Sequence, residues 1–307
     1  MRLDIGDIQI DVINDGQILA DTGGAFGLVP RALWSRHYEA DEQSRVPFHH
    51  NCLLVRTAGK TILVDTGQGT RLPEKVQLIM ALTRTEGDLV AGLARLGVKP
   101  ADVDIVVNTH LHSDHCGGNT VFDEDGQVVA TYPNAEYVVQ RLEYAAAAFP
   151  NERTRATYLA PNFKPLYRSG QLRLLDGDTE IVPGMRAVVT PGHTPAHMSI
   201  VFEDGGESAL YVADLATLAV HLTNLAWMTA YDEEPLVTLE TKRRWQGWLL
   251  ERDGIVLFEH DPYTVAGRLA ERDGGLSIES LDAETGGQPR VDVAAPSTEQ
   301  TPGSPAR

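Results

Sequence analysis

The chain has 307 residues, 42% hydrophobic and 22% charged, the make-up of a globular protein and not of a disordered or fibrous one. Its 26 Lys and Arg against 43 Asp and Glu give a formal net charge of −17, a field that repels phosphate backbones and anionic membranes and argues against nucleic-acid or membrane partners. No run approaches the roughly 18 apolar residues of a membrane span, Met1–Asp7 puts acids where a signal peptide needs a basic head, and Cys52 with Cys116 makes no disulfide framework, so a cytoplasmic address is expected.

In chain order, Ile8–Ile13 alternates like a half-buried strand. Cys52–Arg56 and Thr61–Asp65 read as a hairpin turning at Ala58-Gly59-Lys60. Helical spacing is expected over Glu74–Leu96, Ala135–Ala147 and Leu239–Arg252. Between the first two, Asp104–Val107 is a short apolar strand that runs into the loop Asn108-Thr109-His110-Leu111-His112-Ser113-Asp114-His115-Cys116-Gly117-Gly118. Four metal-ligating side chains fall within six residues there. In extended chain alternate residues point one way, so His110 and His112 can converge on one ion, and Asp114 and His115, past the bend, can face a second. Gly117-Gly118 is expected to let the backbone turn tightly. Neutral imidazole with carboxylate suits Zn, Fe, Co or Mn.

Further donors follow later strands. His193 and His197 lie in Thr190–His197 after the strand Met185–Val189. Asp214 ends Ala209–Ala213, and His260 follows Ile255–Glu259. Strand ends are where layered folds place functional residues. Residues 1–282 are expected to form one domain. The Pro- and Gly-rich segment 283–307 lacks apolar surface and is expected to be a disordered tail.

His-X-His-X-Asp-His at 110–115, then Gly192-His193, Asp214 and His260, resembles the metallo-β-lactamase superfamily, over about residues 5–265. Asp65, in Leu63-Val64-Asp65-Thr66-Gly67, matches its early Asp. The resemblance implies an αβ/βα four-layer sandwich and two divalent metal ions, zinc first, with Mn, Fe or Co as alternatives. It implies that His110, His112 and His193 hold one ion, Asp114, His115 and His260 the other, and that Asp214 bridges them. Asp65 would orient a ligand histidine. Gly23–Pro30 with Leu33-Trp34, Tyr132–Ala135, and Ala230-Tyr231-Asp232 resemble the quorum-quenching N-acyl-homoserine lactone lactonases and their methyl-parathion-hydrolase-like relatives. Attack by a metal-bridging hydroxide on a hydrophobic lactone or ester is then expected, with Asp114 passing a proton to the leaving alkoxide and a homodimer as the assembly to test. Phe26, Leu28, Val29, Trp34, Leu225, Trp227 and Met228 are candidates for an acyl pocket.

The chain departs from that pattern after Asp214. The tyrosine that polarises the carbonyl in well-known lactonases is replaced by Leu215-Ala216-Thr217, which leaves His221 or Tyr231 as substitutes. An Asp at 214 where broad-spectrum zinc β-lactamases carry Cys argues against that activity. The absence of a basic C-terminal region argues against glyoxalase II, and His112 in place of Glu argues against a flavodiiron oxygen reductase. A phosphotriesterase using the same metals stays open, as does a metal-bearing sensor without turnover.

Overall fold

The computed structural model describes residues 1–272 and 274–281; the expected tail, 283–307, lies outside them. The strands are β1 (Arg2–Ile5), β2 (Ile8–Asp21), β3 (Arg45–Thr57), β4 (Lys60–Val64), β5 (Ile105–Val107), β6 (Thr120–Phe122), β7 (Val128–Ala130), β8 (Glu136–Gln140) and β9 (Leu172–Leu175), followed by β10 (Thr179–Val182), β11 (Met185–Val189), β12 (Met198–Asp204), β13 (Glu207–Tyr211), β14 (Ile255–Leu257), β15 (Ala266–Arg272) and β16 (Gly275–Ser280). Two seven-stranded mixed sheets result, ordered β1-β2-β3-β4-β5-β8-β9 and β10-β11-β12-β13-β14-β15-β16, and β6 with β7 forms a separate ribbon.

Strand alternation sorts the side chains into layers. On the first sheet Leu53, Val55, Ile62, Val64, Ile105 and Val107 point inward, where they meet Met198, Ile200, Phe202, Tyr211, Ile255 and Leu257 of the second. The intervening Leu54, Leu63 and Val106 face outward and pack against Leu89 and Leu93 of the helix Leu89–Arg95. On the other side Val201, Leu210 and Val256 pack against Trp245 and Leu249 of the helix Pro235–Arg252. Helix, sheet, sheet and helix make the expected αβ/βα four-layer sandwich. Fully burying each such side chain is worth about 1.5–3 kcal/mol, which makes these strand positions hard to substitute.

The β3–β4 hairpin turns at Ala58 and Gly59, both at positive φ, as a two-residue turn of primed type requires. Three expectations need correction. Glu74–Leu96 is two helices, Glu74–Ile79 and Leu89–Arg95, because Thr83 exchanges both backbone hydrogen bonds with Gln17 and Asp88 caps the second helix through Ala91 N–H. Ala135–Ala147 is β8 followed by the helix Arg141–Ala148, because Tyr137 and Val138 pair in parallel with β5 and β9 inside the sheet. The last helix begins at Pro235, four residues before the expected Leu239. No described helix is long and apolar enough to cross a membrane.

Candidate metal centre

Strand direction gathers the site. β4, β5 and β8 run parallel, so the loops holding Asp65 and His110–His115 leave one edge of the first sheet. In the second sheet β11 and β13 are both antiparallel to β12, and β14 is parallel to β13. Their C-terminal ends therefore share an edge, and the residues that follow them are His193, Asp214 and His260. Backbone bonds from Met198 N–H to Thr109 C=O and from His49 N–H to His260 C=O, both 3.0 Å, fasten the two edges together.

His110, His112, His193 and Asp214 form one convergent group, all buried. His112 Nδ1 and His193 Nε2 face each other at 3.1 Å. Asp214 Oδ2 lies 3.1 Å from His193 Nε2 and 3.8 Å from His110 Nε2. On the other side of Asp214, Oδ2 is 3.4 Å from His115 Nε2 and Oδ1 is 3.3 Å from His260 Nε2. His115 and His260 present their Nε2 atoms to each other at 3.1 Å, and Asp114 Oδ2 is 3.8 Å from His260 Nε2. The other six candidate ligand residues thus lie around Asp214. Asp114 differs from the other six in exposure: its side chain is 28% accessible.

The donors fit divalent cations. His110 Nε2 and Asp214 Oδ1 are buried without a hydrogen-bond partner, an expensive state unless something positive accepts their lone pairs. Burial pulls His193 down, yet the Asp214 and Asp232 carboxylates carry it up to about 10. Burial likewise opposes, and Asp214 outweighs, in lifting His260 to about 9. Burial keeps His112 down at about 3. The cluster calls for positive charge and holds borderline imidazole and hard carboxylate donors in the mixture zinc takes.

The far nitrogens are anchored, as in many metal-bound histidines. His115 Nδ1 lies 3.1 Å from Asp65 Oδ2 and 2.8 Å from Glu259 Oε2. His193 Nδ1 meets Asp232 Oδ1 at 2.8 Å, and His260 Nδ1 donates to His49 C=O at 2.7 Å. Asp65 also accepts from Thr109 N–H and Oγ1–H. His197 supports the site from behind: its Nε2 accepts the Asp214 N–H at 3.2 Å. Glu143 is buried and accepts from Leu111 N–H, Tyr158 O–H and Thr194 O–H, tying the 110–115 loop to the 190–197 loop.

Sequence reasoning missed His50, Glu259, Asp232 and Glu143. Asp232 and Glu259 stood in runs already singled out but carried no role, while His50 lies in β3 and Glu143 in the helix Arg141–Ala148 with no motif around them. Gly117 corrects an expectation: its φ of −61° is ordinary helix. It is needed because a Cβ would fall 2.2 Å from Gln68 C=O. Two pocket candidates are also corrected. Phe26 and Trp34 are stacked at 4.8 Å and buried, 0% and 5% exposed, in a core cluster. Phe26 packs edge-on against His221 at 5.8 Å. Leu28 is fully exposed, and Val29, Leu225, Trp227 and Met228 are half-buried.

Residues 45–221 match the family model described as metallo-beta-lactamase superfamily. N-acyl homoserine lactonases from Bacillus cereus and a Bacillus species are 29% and 30% identical over 225 residues, 68% of this chain and 80% of theirs. A probable metal-dependent hydrolase from Staphylococcus aureus superposes with TM-score 0.82 at 31% identity, over 92% of this chain and all of that one. AidC, a dizinc quorum-quenching lactonase solved with a product, has the same fold, with TM-score 0.76 at 20% identity over 93% of this chain and 98% of its own.

Proposed function

The chain belongs to the metallo-beta-lactamase superfamily and is a metal-dependent hydrolase, and from that premise we propose that it holds two divalent ions, zinc first, and opens the rings of N-acyl-homoserine-lactone-type substrates. The observation that supports this best is Asp214, with His110 and His193 on one side and His115 and His260 on the other, each within 3.8 Å. Similarity to lactonases at 29–30% identity supports the substrate class. In this reading His110, His112 and His193 hold one ion, Asp114, His115 and His260 the second, and Asp214 lies between. Bound ions supply Lewis acidity and a water-derived nucleophile near neutral pH.

The chain's own groups do the rest. His221 Nδ1 accepts the Leu218 N–H, which puts the ring proton on Nε2, a buried donor without a partner. In this reading that N–H donates to the lactone carbonyl oxygen, the task of the missing tyrosine. Asp114 is half-buried; burial pushes its pKa up, and the His115 and His260 charges outweigh burial to hold it below the usual carboxylate range. Ionised, it would accept the proton released by the attacking water and pass it to the departing ring oxygen as the ester C–O bond breaks. Asp65 orients His115, and Asp232 orients His193. Tyr231, 45% exposed, with Trp227 and Met228, offers a surface to the acyl chain.

Metal content measured beside hydrolysis of an acyl-homoserine lactone and an aryl phosphotriester tests the proposal. Two ions per chain with the lactone preferred is the expected result. A phosphotriester preference would move the substrate class and leave the metal site in place.

A further inference from the structure

β3 carries two consecutive histidines, His49 and His50, opposite an irregularity in β2. The register passes from Asn14↔Asn51 to Gln17↔His49, so Asp15 and Gly16 together face His50 alone, a β-bulge. Gly16 takes φ +152° there, and a Cβ on it would fall 2.9 Å from Thr83 C=O. Bulges next to sites re-aim side chains, and this one acts on His50. Its ring is fully buried and donates through Nδ1 to Gly16 C=O at 3.1 Å, so Nε2 bears the lone pair. That atom lies 3.9 Å from Asp114 Oδ2, and the ring stands edge-on to His260 at 5.3 Å.

We propose that His50 Nε2 is a further ligand of the second divalent ion, beside Asp114, His115 and His260. The proposal rests on the two-ion reading above. Two ligands that each bind an ion at about 2.0–2.2 Å can stand no more than about 4.4 Å apart. Asp114 Oδ2 meets that limit to both His50 at 3.9 Å and His260 at 3.8 Å, and these three residues form one convergent donor group. The other neighbour of His50 Nε2 is the Gln68 side-chain amide at 3.2 Å. The Gln68 Oε1 on that amide has no partner, so the amide is held at one end only and can yield the lone pair to a cation. A further imidazole favours borderline ions such as zinc or cobalt over hard manganese or magnesium at this position.

The test uses the full chain stripped of metal and reloaded with zinc or cobalt. Ions per chain, zinc affinity by chelator competition and the cobalt visible spectrum are read for wild type, His50→Ala, His50→Gln and Gln68→Ala, with circular dichroism to confirm folding. The expected result is two ions in wild type, a second ion weakened at least about tenfold with an altered cobalt spectrum in whichever His50 variant folds, and unchanged affinity in Gln68→Ala. Unchanged second-ion affinity and spectrum in the folded His50 variant would overturn the proposal and leave the two-ion reading standing. Equal weakening in Gln68→Ala would overturn it in favour of a supporting hydrogen bond. Fewer than two ions in wild type would overturn both.

Discussion

Asp214 is held at both ends, its backbone N–H by His197 and its carboxylate among four imidazoles, so its carboxylate is fixed at the centre of the donor cluster. In metal-free protein the same carboxylate keeps His193 and His260 protonated, with pKa values raised to about 10 and about 9. A cation must displace those protons, so metal uptake at pH 7 should release protons and affinity should climb with pH through this range. Calorimetry in two buffers of different ionisation enthalpy measures the count; uptake without proton release would contradict it. By linkage the raised pKa values stabilise the metal-free fold below the ordinary pKa of 6.5, a contribution lost as pH rises through about 9 to 10. His221 gives a second expectation at this scale. Burial and the Lys242 charge hold it down at about 3, so it stays neutral and keeps its Nε2–H as a donor at working pH. His221→Phe should keep full metal content and lose about a hundredfold in kcat, the usual cost of one carbonyl-polarising donor. An unchanged kcat would remove His221 from the reaction.

The elements that carry the site are short loops, and what fixes them is one helix. From Arg141–Ala148, Glu143 accepts from Leu111 of one ligand loop and Thr194 of the other. Glu143→Ala should cost about 1–3 kcal/mol, since it leaves buried donors unpaired. It should also loosen both loops, read as a lower urea midpoint and weaker zinc retention under chelator; a shift in the midpoint alone would confine Glu143 to general stability. The element scale also shows what the sequence could and could not disclose. Continuous apolar runs such as Leu53–Val55 and Ile62–Val64 announced the sheets, since each strand is buried on both faces in two different cores. Clustering at 110–115 announced the site. The break at residues 80–88 was invisible because it depends on Thr83 pairing with Gln17, a contact 66 residues away in sequence that apolar spacing does not record. Glu136–Gln140 read as helix because its neighbours on both sides came from β5 and β9, which only the assembled sheet supplies. His50 was hidden for the same reason: a histidine in a strand acquires meaning from the bulge opposite it.

At the scale of the molecule, the donors divide between sheets: the 110–115 loop leaves the first, and His193, Asp214 and His260 leave the second. Bound ions therefore join the two halves, and ligand binding to the native state alone adds to its stability by mass action. Chelation should lower Tm, and zinc should restore it; equal Tm values with and without zinc would show that the ions do not bridge the halves. On the proposed lactone-opening activity, the formal charge of −17 would also separate substrate from product, because a neutral lactone approaches without penalty and the carboxylate formed from it is repelled. The split ligand set has a further consequence during synthesis. The last candidate donor, His260, leaves the ribosome well after the four of the 110–115 loop, and until it emerges and its sheet closes over the other, the donor set around Asp214 is incomplete. A nascent or truncated chain should then be silent instead of partly active, with turnover expected only once assembly is finished.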